Sequence, residues 1–234
     1  NGEDRVGERH YRCCRRAKLF GVGSAGCSII DGAQYPTVAV SESAADLARC
    51  RAERKVLIGP GRLAGLSVPV PELRRKLPSL VGHELLDVFN NTDVAFVMCG
   101  LGGTTGSLGA RMLASVARAK SCIGIVLAAT PFSAESARRR EFAQGTSQEL
   151  TGTSSLCVEF SNDKLSSMAP NLPLSRAFAI QNAIMMRPVM DLCATFARTD
   201  AAAFREVLGP CTYGRFGLGL ARGDDRVAMA VHDA

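Results

Sequence analysis

Two glycine-rich stretches carry the first chemical signal in the sequence. Gly21-Val22-Gly23-Ser24-Ala25-Gly26 is a GxGxxG pattern directly behind the apolar run Lys18–Phe20. A missing Cβ lets backbone approach a phosphate, and a helix starting there turns free N–H groups and its positive dipole end toward the anion. The pattern serves dinucleotide and mononucleotide folds alike, and a tight turn can also produce it. The second stretch, Gly100-Leu101-Gly102-Gly103-Thr104-Thr105-Gly106-Ser107-Leu108-Gly109, holds five glycines and three hydroxyl side chains in ten residues. So many glycines are entropically expensive in a plain connector. Backbone amides and hydroxyls are donors, so an oxyanion such as a di- or triphosphate is the natural occupant. No Lys follows in the GxxxxGK[ST] manner, which excludes a Walker-type loop. Two such loops point to a nucleotide with at least two phosphates.

The elements that must hold these loops are legible as short apolar runs ended by Gly, Pro or small polar residues. They are Lys18–Phe20, Thr37–Val40, Lys55–Ile58, Val94–Met98, Ile123–Leu127 and Leu156–Phe160. Most are apolar throughout, as suits strands covered on both faces. Helix-length stretches lie between them: Ser43–Arg54, Pro71–Phe89, Ser107–Ala119 and Ala134–Leu150. A longer pattern, Leu174–Phe196, carries Phe178, Ile180, Ile184, Met185, Val189, Leu192 and Phe196, with Pro188 expected to kink or break it. Beyond it come a helix-like Ala201–Leu208 and a strand-like Gly214–Leu220. This alternation predicts an α/β fold: a doubly wound, mainly parallel sheet with a long helix toward its carboxyl-terminal side. Ligands bind beyond the carboxyl ends of such strands, where both glycine loops fall.

Composition narrows the classes. Of 234 residues, 47% are apolar and Gly plus Pro number 23 and 10, so disorder is not the main state. The apolar run around Ile123–Ala129 is far shorter than the roughly 20 residues of a membrane span. The formal charge is +6, and half of it sits in residues 1–20, read as a solvated basic leader over residues 1–16. Only Tyr11 interleaves with those basic residues, which argues against a nucleic-acid module. The nine cysteines are irregularly spaced without a CxxC pair, so a zinc ribbon is absent. Buried free thiols in a reducing, cytoplasmic compartment explain them, and no secretory signal is visible.

The two loops, in this order and with the segments between them, resemble the GTP-binding domain of the FtsZ/tubulin superfamily. The likeness runs from about Lys18 to about Arg226 and is closer to prokaryotic FtsZ-like proteins than to eukaryotic tubulin. Gly102–Leu108 matches the family's GGGTG[ST]G at five of seven positions, with Thr104 and Leu108 in place of glycines. Ser41-Glu42-Ser43 stands where FtsZ typically has Asn-Thr-Asp, so those side chains are lost. Lys55–Gly59 with Ala64-Gly65-Leu66 is similar to the loop beside the γ-phosphate. Thr130-Pro131-Phe132-Ser133-Ala134-Glu135 with Arg138-Arg139 resembles TxPFxxE…RR, and Asn162-Asp163-Lys164-Leu165 matches NDKL.

The resemblance implies that GTP or GDP is the ligand. Gly21, Gly23, Ser24, Ala25, Gly26, Gly100, Gly102, Gly103, Thr104, Thr105, Gly106 and Ser107 would then hold the phosphates. Pro131 would line the nucleotide site, Glu135 would meet the ribose, Arg139 would reach the nucleotide, and Asn162 would lie near the guanine or ribose. Phe178 would stack on the base and Asn182 read its edge. The chemistry of the residue types agrees: an Asn carboxamide offers donor and acceptor together, and Phe a flat apolar face. Four residues apart, the two share a helix face. An ordinary core Phe with a solvated Asn, and a surface ion pair for Glu135 and Arg139, stay open as readings. Mg²⁺ is expected with a triphosphate.

The resemblance fails in two places. FtsZ-like proteins complete hydrolysis across a subunit contact with a GxxNxDxxD loop after the long helix. Here that stretch is short, with Arg198 in place of the Asn, Ala203 in place of the second acid, and only Asp200 retained as a catalytic acid. Slow or absent hydrolysis is expected. The family's fold also continues into a carboxyl-terminal domain, whereas this sequence ends at Ala234. Residues 17–197 are therefore expected to form the GTP-binding domain, with 198–234 the remnant of that loop and the start of the further domain. Self-association head-to-tail, or with a fuller-length FtsZ-like homologue, is the expected partnership. Two other functions compete. An NAD-binding oxidoreductase would use Gly21–Gly26 and the acidic Glu42, and a non-hydrolysing module would keep the fold for partner binding.

Overall fold

The structure is a computed structural model that describes residues 16–59, 62–63, 71–72, 75, 82–164, 173–196, 201–209, 212–216, 219 and 223–233. Seven strands form one sheet: β1 (Ala17–Val22), β2 (Thr37–Ser41), β3 (Arg54–Leu57), β4 (Val94–Gly100), β5 (Ile123–Thr130), β6 (Leu156–Ser161) and β7 (Tyr213–Arg215). Their order is β3-β2-β1-β4-β5-β6-β7, and every pairing is parallel. From β1 the chain steps to β2 and β3 on one side, then returns so that β4 pairs with β1 and the sheet grows the other way. The crevice between the ends of β1 and β4 is therefore the switch point.

Alternation across the pleat supplies two cores. In register, Leu19, Phe96 and Ile125 face one side, while Phe20, Val97 and Val126 face the other. All six are buried, each contributing about 1.5–3 kcal/mol by leaving water. Burial on both faces explains why these strands lack polar alternation.

Helices α1 (Gly23–Ile30), α2 (Ala44–Arg49), α3 (His83–Asp87), α4 (Thr104–Ala119), α5 (Ala137–Thr153), α6 (Leu174–Phe196), α7 (Ala201–Leu208) and α8 (Arg226–Asp233) complete the described elements. Several depart from the sequence expectation. Ser43 caps α2 by accepting from Asp46 N at 3.2 Å, as its type suggests. But α2 stops at Arg49, because Arg51 N donates to Asp31 Oδ1 at 2.8 Å and Arg54 enters β3. Gly82 interrupts the helix expected over Pro71–Phe89, whose described end is α3. The expected strand Gly214–Leu220 is the shorter β7, beside β6.

The long α6 runs through Pro188 without a break. Its buried seam is Ala177, Gln181, Met185, Val189, Cys193 and Phe196, whereas Phe178 and Ile180 are exposed. On α7, Phe204 meets Phe196 edge-on at 5.6 Å, and Leu208 joins the same core.

The six described cysteines are buried free thiols, as expected. Burial pushes the thiols of Cys27, Cys122 and Cys157 up to about 12. They stay protonated near neutral pH and behave as small apolar side chains.

Candidate functional site

At the switch point lies a cleft of about 640 Å³, floored by the loops after β1 and β4 and walled by the starts of α5 and α6. That volume is within the usual range for small-molecule sites. In the first loop, Gly23 sits at φ +66° and lines the cleft with Ser24 and Ala25. Gly21 and Gly26 lie behind the lining. A Cβ on Gly21 would stand 2.5 Å from Gly26 O, and one on Gly26 would stand 2.2 Å from Met98 O. These two glycines let α1 press against the sheet, which brings its first turn to the cleft.

The second loop folds further into helix than expected. α4 begins at Thr104 rather than Ser107, so Thr104, Thr105 and Gly106 form its first turn and line the cleft with Gly100 and Gly103. Neither α1 nor α4 has a side-chain cap or an acid in its first turn. Both helices thus present unsatisfied N–H groups and the positive ends of their dipoles. Gly106 permits this geometry, since a Cβ there would lie 2.1 Å from Gly100 O. Gly102 (φ +87°) and Ser107 shape the loop from behind: Gly102 N donates to Ser107 Oγ at 3.0 Å. Glu42 also bears on this loop. Its carboxylate accepts from the Thr105 hydroxyl at 3.3 Å and from Leu63 N at 3.5 Å. Glu42 is thus bonded to the second glycine loop within the protein.

The opposite wall brings together the rest of the expected set: Pro131, Glu135, Arg139, Asn162, Phe178 and Asn182. Glu135 accepts from Phe132 N at 2.9 Å and pairs with Arg139 at 2.9 Å. The ion-pair reading of these two is therefore present in the cleft wall itself. The pair clamps the turn ahead of α5, which explains why that helix starts at Ala137 rather than Ala134. The Arg139 stem lies over Gly102, where a Cβ would meet its Cγ at 2.7 Å. Phe178 is 39% exposed, which excludes the ordinary-core reading, and Phe132 stands 6.4 Å away across the mouth. Asn182 Nδ2 donates to Ser28 O and Ser28 Oγ at 3.2 and 3.1 Å, tying α6 to α1. With Nδ2 engaged on Ser28, its oxygen is the group left to offer a ligand.

Sequence reasoning missed Phe132, Asp163 and Gln181 as functional candidates. Phe132 was already visible inside the Pro131–Glu135 stretch as a second aromatic. Asp163 accepts from Ser133 N and Oγ at 3.0 and 3.1 Å, locking two wall loops together. Gln181 gave only one signal, a polar residue in an apolar seam. Asp200 and Arg198 lie outside the described residues, as do Ala64–Leu66 and the basic leader up to Arg15. Among the described residues no helix is long and apolar enough to cross a membrane.

Fold and cleft together define a doubly wound α/β domain with a cleft at its switch point onto which the starts of α1 and α4 open. The family model for the Tubulin/FtsZ family, GTPase domain, matches residues 16–170, and the chain belongs to that family. The cell division protein FtsZ of Methanothermobacter thermautotrophicus is 32% identical over 94% of this chain and 61% of its own length. Cell division protein FtsZ 1 of Archaeoglobus fulgidus is 30% identical, over 93% of this chain and 62% of its own. The chain thus spans about three fifths of these relatives. Among solved structures, an FtsZ dimer from M. jannaschii matches with a TM-score of 0.78 at 25% identity, covering 100% of this chain and 72% of that one. A GTPγS-bound protofilament of CetZ2 from Haloferax volcanii matches with a TM-score of 0.63 at 26% identity, covering 88% and 66%.

Proposed function

We propose that this cleft binds GTP or GDP, and that the protein is an FtsZ-like, cell-division-related cytoskeletal protein of the cytoplasm with weak GTP hydrolysis. The observation that carries the reading is the pair of uncapped helix N-termini, α1 and α4, converging on one cleft whose mouth holds the exposed ring of Phe178. A di- or triphosphate satisfies those amides, each helix end contributing about 0.3–1 kcal/mol, up to about 2 where partly buried. The base lies on Phe178. The carbonyl oxygen that Asn182 offers suits guanine, which has an N–H and an amine side by side, better than adenine.

Mg²⁺ is expected to arrive with the triphosphate, held chiefly by its oxygens. Among the described residues no group of three or more His, Cys, Asp or Glu forms a metal site of its own. We assign residues 17–197 to the nucleotide domain. Self-association is proposed to run head-to-tail, with a second copy or a fuller-length homologue, in line with the dimer and protofilament of the structural relatives.

Two measurements test this. Titration calorimetry is expected to give GTP and GDP dissociation constants in the micromolar range or tighter, with ATP at least about tenfold weaker. Equal affinity for ATP would defeat the reading. Turnover is expected to be slow because Ala203 stands where a water-orienting acid belongs, a loss worth about 10²–10⁴ in rate. Ala203→Asp should therefore raise GTP turnover by at least about tenfold. A wild-type rate matching that of the variant would show that Ala203 is not the cause.

A further inference from the structure

We infer that the cavity at the amino ends of β5 and β6 is a second ligand site, which takes a small oxyanion of the phosphate-monoester or diphosphate class. The inference stands apart from the nucleotide reading, because this cavity opens at the opposite end of the sheet from the switch-point cleft. Its volume is about 620 Å³, close to that of the cleft and within the usual range for small-molecule sites. It lies where α4, α5 and α7 end, and Arg118 of α4 and Arg205 of α7 both line it. Among the described residues no Asp or Glu lines it, and neither guanidinium has a carboxylate partner. Arg16, Arg51, Arg111 and Arg139, by contrast, each sit against an acid.

Helix carboxyl ends bring negative partial charge, which would repel an anion if their carbonyls were free. Here those carbonyls are spent within the protein. Arg118 Nη1 donates to Gly152 O at 3.0 Å, and Arg205 Nη2 to Ser121 O at 2.7 Å. Ser154 N and Oγ both donate to Leu150 O, at 2.8 and 2.7 Å, and Cys122 N donates to Ala117 O at 2.8 Å. The hydroxyls of Thr151 and Thr153 turn back onto Ser147 O and Glu149 O. What the cavity has left over is donors: the other N–H groups of both guanidinia, with the Ser121 and Thr212 hydroxyls beside them. A guanidinium stays charged at any physiological pH, and its planar fork matches two oxygens of one phosphate. Two such charges without an acid call for a ligand that is at least a dianion, which a monocarboxylate is not.

The test is calorimetric titration of the full chain with inorganic pyrophosphate, one equivalent of GDP being present to occupy the cleft and sodium chloride of matched ionic strength serving as control. Saturable binding in the millimolar range or tighter is expected, with no such binding in the control. Arg118→Gln and Arg205→Gln should each weaken pyrophosphate binding about tenfold or more, since each removes charge-assisted hydrogen bonds, and leave GDP binding within about twofold. Arg205→Lys keeps the charge without the fork and should fall between wild type and Arg205→Gln. No pyrophosphate binding, or binding that both glutamine variants leave unchanged, overturns the inference. Should Arg205→Gln fold poorly through loss of its bond to Ser121, Arg118→Gln decides. A failure of GDP to bind defeats the nucleotide reading alone, because the two variants still locate the pyrophosphate.

Discussion

Gly106→Ala is expected to lower the melting temperature and abolish measurable nucleotide binding, while Gly103→Ala weakens binding and leaves the melting temperature unchanged. The two glycines lie three residues apart, yet a methyl group meets different surroundings at each. At Gly106 it would stand 2.1 Å from Gly100 O, backbone against backbone, so the first turn of α4 must move away from β4. Overpacking of this kind costs about 1–3 kcal/mol. At about 2–4 °C per kcal/mol for a chain of this size, the upper end corresponds to a fall of about 6–12 °C. The displaced turn carries the amides of Thr104 and Thr105, so the anion site is lost with it. At Gly103 nothing lies within 4 Å of the added Cβ, and the backbone at φ −99° is open to any residue. There the methyl group intrudes only on the cleft. Thermal melts and calorimetry of both variants check this; equal melting temperatures would show that Gly106 has no packing role.

Phe178→Ala is expected to weaken GDP binding by about 5–150-fold, corresponding to the roughly 1–3 kcal/mol that base–aromatic stacking contributes. The melting temperature should change by less than about 2 °C. The contrast follows from position: Phe178 is 39% exposed, with Phe132 at 6.4 Å as its aromatic neighbour, whereas Phe20 and Phe96 are buried in the sheet. A stacking platform loses ligand affinity on truncation, and a core ring loses stability. A large drop in melting temperature with unchanged GDP affinity would make Phe178 a packing residue.

The sheet was legible in the sequence because β4 and β5 are buried on both faces and must be apolar throughout. Which glycine does what was not legible. GxGxxG marks Gly21, Gly23 and Gly26 alike, but only the fold shows that Gly23 faces the cleft while Gly21 and Gly26 seat α1 on the sheet. Two element ends were misplaced where a side-chain hydrogen bond outweighed the local pattern. Asp31 draws Arg51 out of helix, and Glu135 holds a turn where a helix was expected. The pair Phe178 and Asn182 could be read from spacing and type. Gln181 could not, since a buried oxygen left without a partner is a property of the packed molecule alone. Glu42 had two readings in the sequence, and the fold bonds its carboxylate to the Thr105 hydroxyl, a contact no local pattern announced.

The most direct measurement is diffraction from crystals grown with GDP. Density for the diphosphate is expected against the amides of Gly23–Ala25 and Gly103–Gly106, with the base lying on the ring of Phe178. Density for the nucleotide elsewhere on the protein, or those loops closed over one another with Phe178 turned into the core, would contradict it.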